Sequence, residues 1–447
     1  MERRTSVIEA IPGLRPEPYH KEGNMIQGIL IIAVFLVFAF LIFKNKVPTF
    51  LALMIMAILI AVIGGVPLNG KEGILSDILE KGSTGMASSI MALIFGAWLG
   101  EIMTETGVTK DIIRRATEMG GNRPILLALV LNAAVILLFT AVTGLGATIM
   151  VGTLVLPILL AVGIRPVVAG AMFIFARAVG LILNVAQWQL YMSAADISIE
   201  TIKPFALIVM GIGLAGLLIY TVVEVKLCKP ASNWAVTISQ SDEPDTRKVS
   251  PWAVLMPFIP FPLILGLNWP IVPALMAACT YGTLVTSGRK ALKVLAKTGP
   301  AAVKTAAPSI MIMVAIGMVI ASVGNPLVSD SMAGLMSRIM PQGRISYILF
   351  FSLLAPLCLY RGPFNMWGLG SGVLGLMVAS GILPVPAIVA AFLACHLFLL
   401  ACDPTNSHHV WAADYLKIEV FDLTKKSFLY LWAVSIICII VFGFMAI

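Results

Sequence analysis

Apolar stretches long enough to cross roughly 30 Å of hydrocarbon recur along this 447-residue chain, and matching breaks interrupt them in its two halves. In the first half the breaks are Thr143–Ala147 (TGLGA) and Asn184–Gln189 (NVAQWQ). In the second they are Arg361–Asn365 (RGPFN) and Cys402–His409 (CDPTNSHH). Lipid satisfies no backbone N–H or C=O, so such polar, Gly- and Pro-containing backbone survives at membrane depth only where protein buries it or water reaches it. Paired interruptions of two repeats point to a binding site between them. The expected fold is an all-α polytopic membrane protein with inverted structural repeats, re-entrant hairpins and broken helices.

Composition narrows the class. The chain is 59% hydrophobic and only 12% charged, against about 25% charged residues in soluble domains, which excludes a soluble fold. Its net charge of +8 fits the Lys and Arg excess of cytoplasmic loops and calls for no nucleic acid. The six cysteines are scattered through apolar segments without the C-x-x-C spacing of a metal site. Residues 1–24 are polar, carry Pro12, Pro16 and Pro18, and lack the apolar core of a signal peptide. They read as a flexible tail, with Met25 an alternative start.

Four parts follow: the tail 1–24, a first repeat 25–225, a linker 226–250 containing Asp242-Glu243-Pro244-Asp245, and a second repeat 251–447. Spanning or re-entrant segments are expected near 25–43, 47–66, 85–103, 123–142, 148–164, 166–198, 204–225, 252–267, 268–287, 307–323, 344–360, 367–383, 384–415 and 427–446. The repeat shows at one offset: Gly163-Ile164-Arg165-Pro166 matches Gly381-Ile382-Leu383-Pro384, Gly144 matches Gly362, and Ala194-Ala195-Asp196 matches Ala412-Ala413-Asp414. With re-entrant hairpins at 123–164 and 344–383, most of the 30 Lys and Arg fall on one side, taken as cytoplasmic. The halves then enter from opposite faces and both termini face out. The basic 289–304 segment is placed as a cytoplasmic connector.

Each half thus has scaffold helices, a hairpin with a polar tip and a helix broken at mid-depth. The third span of the first half ends in Gly and polar residues, Gly100–Gly107 (GEIMTETG). Over nearly all of 25–447 this organisation resembles the ion transporter superfamily, especially its citrate–metal and gluconate-type symporters. The resemblance implies a homodimer in a cell (inner) membrane, in which hairpin tips and broken helices carry an organic anion past a fixed scaffold, driven by protons or sodium ions.

The breaks supply the candidate site. In the first tip Thr143, Gly144 and Thr148 offer hydroxyls and a turn whose freed amides suit an anion. In the second, Arg361, Gly362 and Asn365 place a guanidinium, which matches carboxylate geometry bidentately, at membrane depth. An Arg snorkelling from a shallower hairpin is the plainer alternative. Asn184 and Gln187 provide amides that can orient a polar solute, and Trp188 adds an indole N–H, with an interfacial belt as its plainer alternative. Arg177 is either a second anion contact or the partner of an acid such as Asp403 or Glu101. For the coupling ion, Asp403, Thr405, Asn406 and Ser407 offer hard oxygens suited to Na⁺, and Asp403 or His408 could carry a proton. Glu101 and Glu105 suit a solvated pair at the end of a span; Asp196 and Asp414 suit helix caps.

No cofactor, metal or catalytic motif stands out: no H-E-x-x-H occurs, and adjacent His408 and His409 cannot share a helical face. The expected function is secondary active transport of a small organic anion, a citrate-, dicarboxylate- or gluconate-like carboxylate. The alternatives are the large membrane subunit of a binding-protein-dependent carboxylate transporter and a cation/proton antiporter.

Overall fold

The structure is a computed structural model that describes residues 25–44, 46–121, 123–228 and 249–447. The expected tail and nearly all of the 226–250 linker lie outside the described residues. Where a chain is apolar on every side and its solvent is lipid, only helices satisfy the backbone from within. Among the described residues, eight helices are long and apolar enough to cross a membrane, or nine if the bent pair Pro166–Ile182 and Val185–Ala195 forms one span. The protein is therefore an all-helical, multi-pass membrane protein.

Several expected spans take other forms. Thr49–Ile63, Arg344–Cys358 and Gly370–Ser380 are apolar but short. The expected 252–267 span is a 3₁₀ segment, Pro251–Phe258, followed by a π-helical turn, Pro262–Gly266. Pro251, Pro257, Pro260 and Pro262 remove the amide donors that a regular helix needs there. The basic 289–304 stretch is helical: from Ala291 it opens a 34-residue helix, Ala291–Gly324. That helix runs through Pro300 and Pro308, and proline keeps a helical φ even where it removes a donor.

The sequence repeat is a structural one. The first hairpin joins Pro124–Ala141 to Gly144–Ala161, and the second joins Arg344–Leu354, through the turn Ala355–Cys358, to Gly370–Ser380. Each ends in a glycine with left-handed backbone, Gly163 (φ +86°) and Gly381 (φ +61°), which a side chain would disfavour. A broken helix follows each: Pro166–Ile182 with Val185–Ala195, bent by 59°, and Val385–Cys402 with Ser407–Leu416. The proximal halves Pro166–Ile182 and Val385–Cys402 are buried almost throughout, as helices apolar all round should be in a core. Asp196 closes Val185–Ala195 at its C-terminal end in left-handed backbone, and Asp414 pairs with Lys417, so neither is an N-terminal cap.

The halves interlock. Val185–Ala195 packs on the Gly370–Ser380 arm of the second hairpin, and Ser407–Leu416 packs on the Gly144–Ala161 arm of the first. The long helix Ala291–Gly324 lies along Thr49–Ile63, Ala87–Glu105 and Gly370–Ser380. Its approach to the turn before Ala87 depends on small residues: a Cβ on Gly317 would lie 2.2 Å from the Gly82 carbonyl oxygen. Gly317→Ala should cost about 1–3 kcal/mol as an overpacked contact, read by thermal unfolding in detergent. Gly211→Ala, where a Cβ meets nothing within 4 Å, should be neutral or stabilising. Equal losses for both would contradict this packing.

Candidate functional site

The second tip is organised by one carboxylate. Tyr360 (φ +55°) and Arg361 (φ +59°) are consecutive left-handed residues without the freedom of glycine, a conformation that costs about 1–2 kcal/mol for each. Their amides turn the same way and donate to Asp403, Tyr360 N to Oδ1 at 3.1 Å and Arg361 N to Oδ2 at 3.3 Å. Asn365 Nδ2 adds a bond to Oδ2 at 3.0 Å. From the break itself, Thr405 donates twice to Oδ1, through its amide (2.9 Å) and its hydroxyl (2.7 Å). Asp403 is fully buried, and these five donors compensate a charge that would otherwise be costly there. Successive amides converging in this way form an anion-binding nest, and the protein fills it with its own carboxylate.

The remaining groups of this tip are also engaged. The Arg361 guanidinium donates from Nη1 to the Trp367 carbonyl at 3.1 Å, within its own hairpin. Gly362 is required by close backbone approach: a Cβ there would lie 2.2 Å from the Leu357 carbonyl oxygen. Asn365 braces the loop through Cys358 O and Trp367 N.

The first tip is built differently. Thr143 is extended, Gly144 has φ +90°, and Gly144–Ala161 begins without a side-chain cap for its first amides. No acid replaces Asp403 here. Asn184 accepts from Ala186 N and reaches Phe139 O only at 3.5 Å. Instead a cation lies beside the tip. Arg177 is 2% exposed, its Nε donates to Thr148 Oγ1 at 2.9 Å, and its guanidinium lies 5.4 Å from the centre of the Phe139 ring. Among the described residues no carboxylate pairs with it, and its Nη1 has no hydrogen-bond partner. The expected alternatives of a pair with Asp403 or Glu101 are not formed.

Other unpartnered polar atoms gather nearby. His408 sits beside the Gly144 backbone and within electrostatic reach of Arg177, Arg361 and His409. Its Nε2, both ring nitrogens of His409 and the Gln187 Oε1 lack partners among the described residues. Gly96 touches both sides of the region, with Ala186 of the first break and Thr143 of the first tip within 4 Å of a Cβ placed on it. Trp188 is buried rather than interfacial: its indole donates to the Ile182 carbonyl at 2.7 Å, satisfying an acceptor that the break sets free.

The structure therefore brings Thr143, Gly144, Thr148, Asn184 and His408 to one region with Arg177, leaves Gln187 in the break beside Asn184, and ties Arg361, Gly362, Asn365, Asp403 and Thr405 into the second tip. It does not gather the expected coupling-ion oxygens into one cage. Thr405 donates into Asp403, Asn406 Nδ2 donates to Leu399 O at 2.9 Å, and Ser407 is exposed. Among the described residues no group of three or more His, Cys, Asp or Glu could hold a metal. Arg177 carried a sequence signal, an arginine inside the apolar run Phe173–Gly180, but its lack of an acidic partner among the described residues is a matter of packing alone.

No protein-family model matches the chain, and no curated protein matches it. Among solved structures it is similar to the YdaH transporter of Alcanivorax borkumensis, with a TM-score of 0.62 at 13% identity, over 94% of this chain and 98% of that one. The crystal structure of that transporter was described as revealing an unusual topology. At this identity the likeness is one of fold.

The nest yields a direct expectation. Asp403→Asn keeps the shape but turns one acceptor oxygen into a donor, and hydrogen bonds to a charged group are worth about 1.5–3 kcal/mol. Amide exchange over 359–369 should rise by an order of magnitude or more while exchange over 140–150 changes little. Unchanged protection of 359–369 would contradict the role given to Asp403.

Proposed function

We propose that the protein is a secondary active transporter of a small organic anion, a citrate-, dicarboxylate- or gluconate-like carboxylate. In this reading transport is coupled to H⁺ or Na⁺ and proceeds by elevator-type alternating access in a cell (inner) membrane, with a homodimer as the working unit. One observation carries the proposal: the buried guanidinium of Arg177 meets no carboxylate among the described residues and stands beside a tip with uncapped amides. A charge at membrane depth costs about 2.5–3.5 kcal/mol on insertion scales and marks a pathway when it faces the interior. The second tip uses an internal carboxylate where the first has none, so the ligand that completes the first tip is an anion. Arg177 is its main contact, with Thr143, Thr148, Asn184, Gln187 and His408 orienting it and Arg361 adding positive potential across the gap. The whole-chain similarity in fold to a membrane transporter supports the class.

Thermal unfolding against citrate, succinate and gluconate, with and without Na⁺ at two pH values, tests this. A ligand at 100 times its dissociation constant stabilises by about 2.7 kcal/mol. At least one carboxylate should shift wild type and fail to shift Arg177→Gln. Without anion, Arg177→Gln should be as stable as wild type or more so, because it removes an uncompensated buried charge. An anion shift that survives in Arg177→Gln would contradict the assignment. Silence of wild type to every anion, together with copurification of a small membrane subunit, would favour a binding-protein-dependent assembly instead.

A further inference from the structure

We infer that Glu101 binds the coupling proton and that its protonation releases the first hairpin tip; this rests on the transporter reading above. Glu101 lies in the largely apolar helix Ala87–Glu105, is half-buried, and pairs with no cation among the described residues. Its Oε1 accepts a hydrogen bond from Thr305 Oγ1 at 2.8 Å. Thr305 in turn lies beside the first tip, its Cγ2 being 3.4 Å from where a Cβ on Gly144 would be. The same helix meets the tip one turn away, where Val142 packs on Gly100 and Thr143 on Gly96.

A chain of neighbours thus crosses the tip from an acid to a cation. It runs from Glu101 to Thr305, to Gly144, whose carbonyl accepts from Thr148 at 3.0 Å, and from Thr148 to Arg177 at 2.9 Å. The ends of the chain are the two charges that a proton and an anion would neutralise. A hydroxyl bonded to a carboxylate is a charge-assisted pair, about twice as strong as a neutral one. When Glu101 takes a proton from water, the bond from Thr305 loses that assistance and the tip loses a brace. No covalent bond changes.

The surroundings favour a proton over a metal ion. Glu101 is the one carboxylate at this contact, and its partner hydroxyl donates to it rather than offering a lone pair beside it. Glu105, one turn on, is neutralised by Lys297 at 2.6 Å. Lys304, next to Thr305, is exposed, and Asp111 on the neighbouring Val108–Gly120 helix is held by Arg114 and Arg115. Val185–Ala195 brings only Tyr191, which bonds His396, and Ile271–Ser287 brings Cys279, against Phe95, and Tyr281, which bonds Trp252. The tip residues 140–148 contribute no titratable side chain, and His408 is the titratable group beside the Gly144 backbone.

Amide hydrogen exchange of the full-length protein in lipid nanodiscs, corrected for intrinsic rates between pH 5 and 8, tests the inference. In wild type, protection of 140–150 should fall roughly tenfold on acidification, the size expected when a charge-assisted bond is halved. Glu101→Gln should show the low-pH level at every pH. Thr305→Val, which keeps the acid and removes the donor, should do the same and stands in if Glu101→Gln does not fold. An infrared carboxylic-acid band that appears on acidification in wild type and is missing from Glu101→Gln would place the proton. A pH response over 140–150 that persists in Glu101→Gln or Thr305→Val overturns the inference. If the anion-induced thermal shift of wild type is intact in that case, the Glu101 assignment fails alone. If no anion shifts wild type but the pH response follows Glu101, the anion reading fails and the proton site stands.

Discussion

The architecture turns on the carboxylate of Asp403. A helix interrupted inside a membrane frees backbone amides and carbonyls that lipid cannot satisfy. Asp403 ends the proximal half of the second broken helix and collects two amides of the second hairpin, the Asn365 side chain and both donors of Thr405. Two pieces of chain about forty residues apart, the hairpin loop and the helix break, are thereby fixed to one point. The left-handed backbone of Tyr360 and Arg361 is held by these bonds, so strain and compensation sit in the same few residues.

The first half solves the same problem with weaker means. Trp188 reaches back to the Ile182 carbonyl and Asn184 caps the start of the next half-helix, but neither clamps the tip. What holds the first tip is peripheral: Arg177 on Thr148, and the Thr305–Glu101 contact beside Gly144. Two tips of like topology therefore differ in stiffness. The second is internally neutralised and braced, and the first rests on these peripheral contacts. Segments with few fixed contacts are the ones that open first, so under the proposed transport reading the first tip is the gate.

Much of the fold was legible in the sequence. The breaks at Thr143–Ala147, Asn184–Gln189, Arg361–Asn365 and Cys402–His409 are the places where the helices stop, and Gly163 and Gly381 play the same left-handed role. Legibility failed where length and proline competed with hydropathy: the 252–267 stretch is apolar yet too proline-rich for a regular span, and the basic 289–304 stretch is helical because the long helix packs along three others. In the site, residue type identified the polar groups but not their partners. Arg361 and Asp403 both looked available to ligands, and the structure commits the Asp403 carboxylate to the chain and one arm of Arg361 to Trp367. Arg177 was ambiguous between an ion pair and a free cation, a question that only three-dimensional placement decides.

The central claim is that an anion completes the first tip as Asp403 completes the second. The most direct measurement is a high-resolution cryo-electron microscopy map of the protein in nanodiscs, with whichever carboxylate gives the largest thermal shift. The account predicts density in contact with the Arg177 guanidinium, between the amides at the start of Gly144–Ala161 and His408, with Asp403 still bonded to Tyr360 and Arg361. An Arg177 that instead meets a carboxylate of the protein, or ligand density seated on the second tip in place of Asp403, would contradict it.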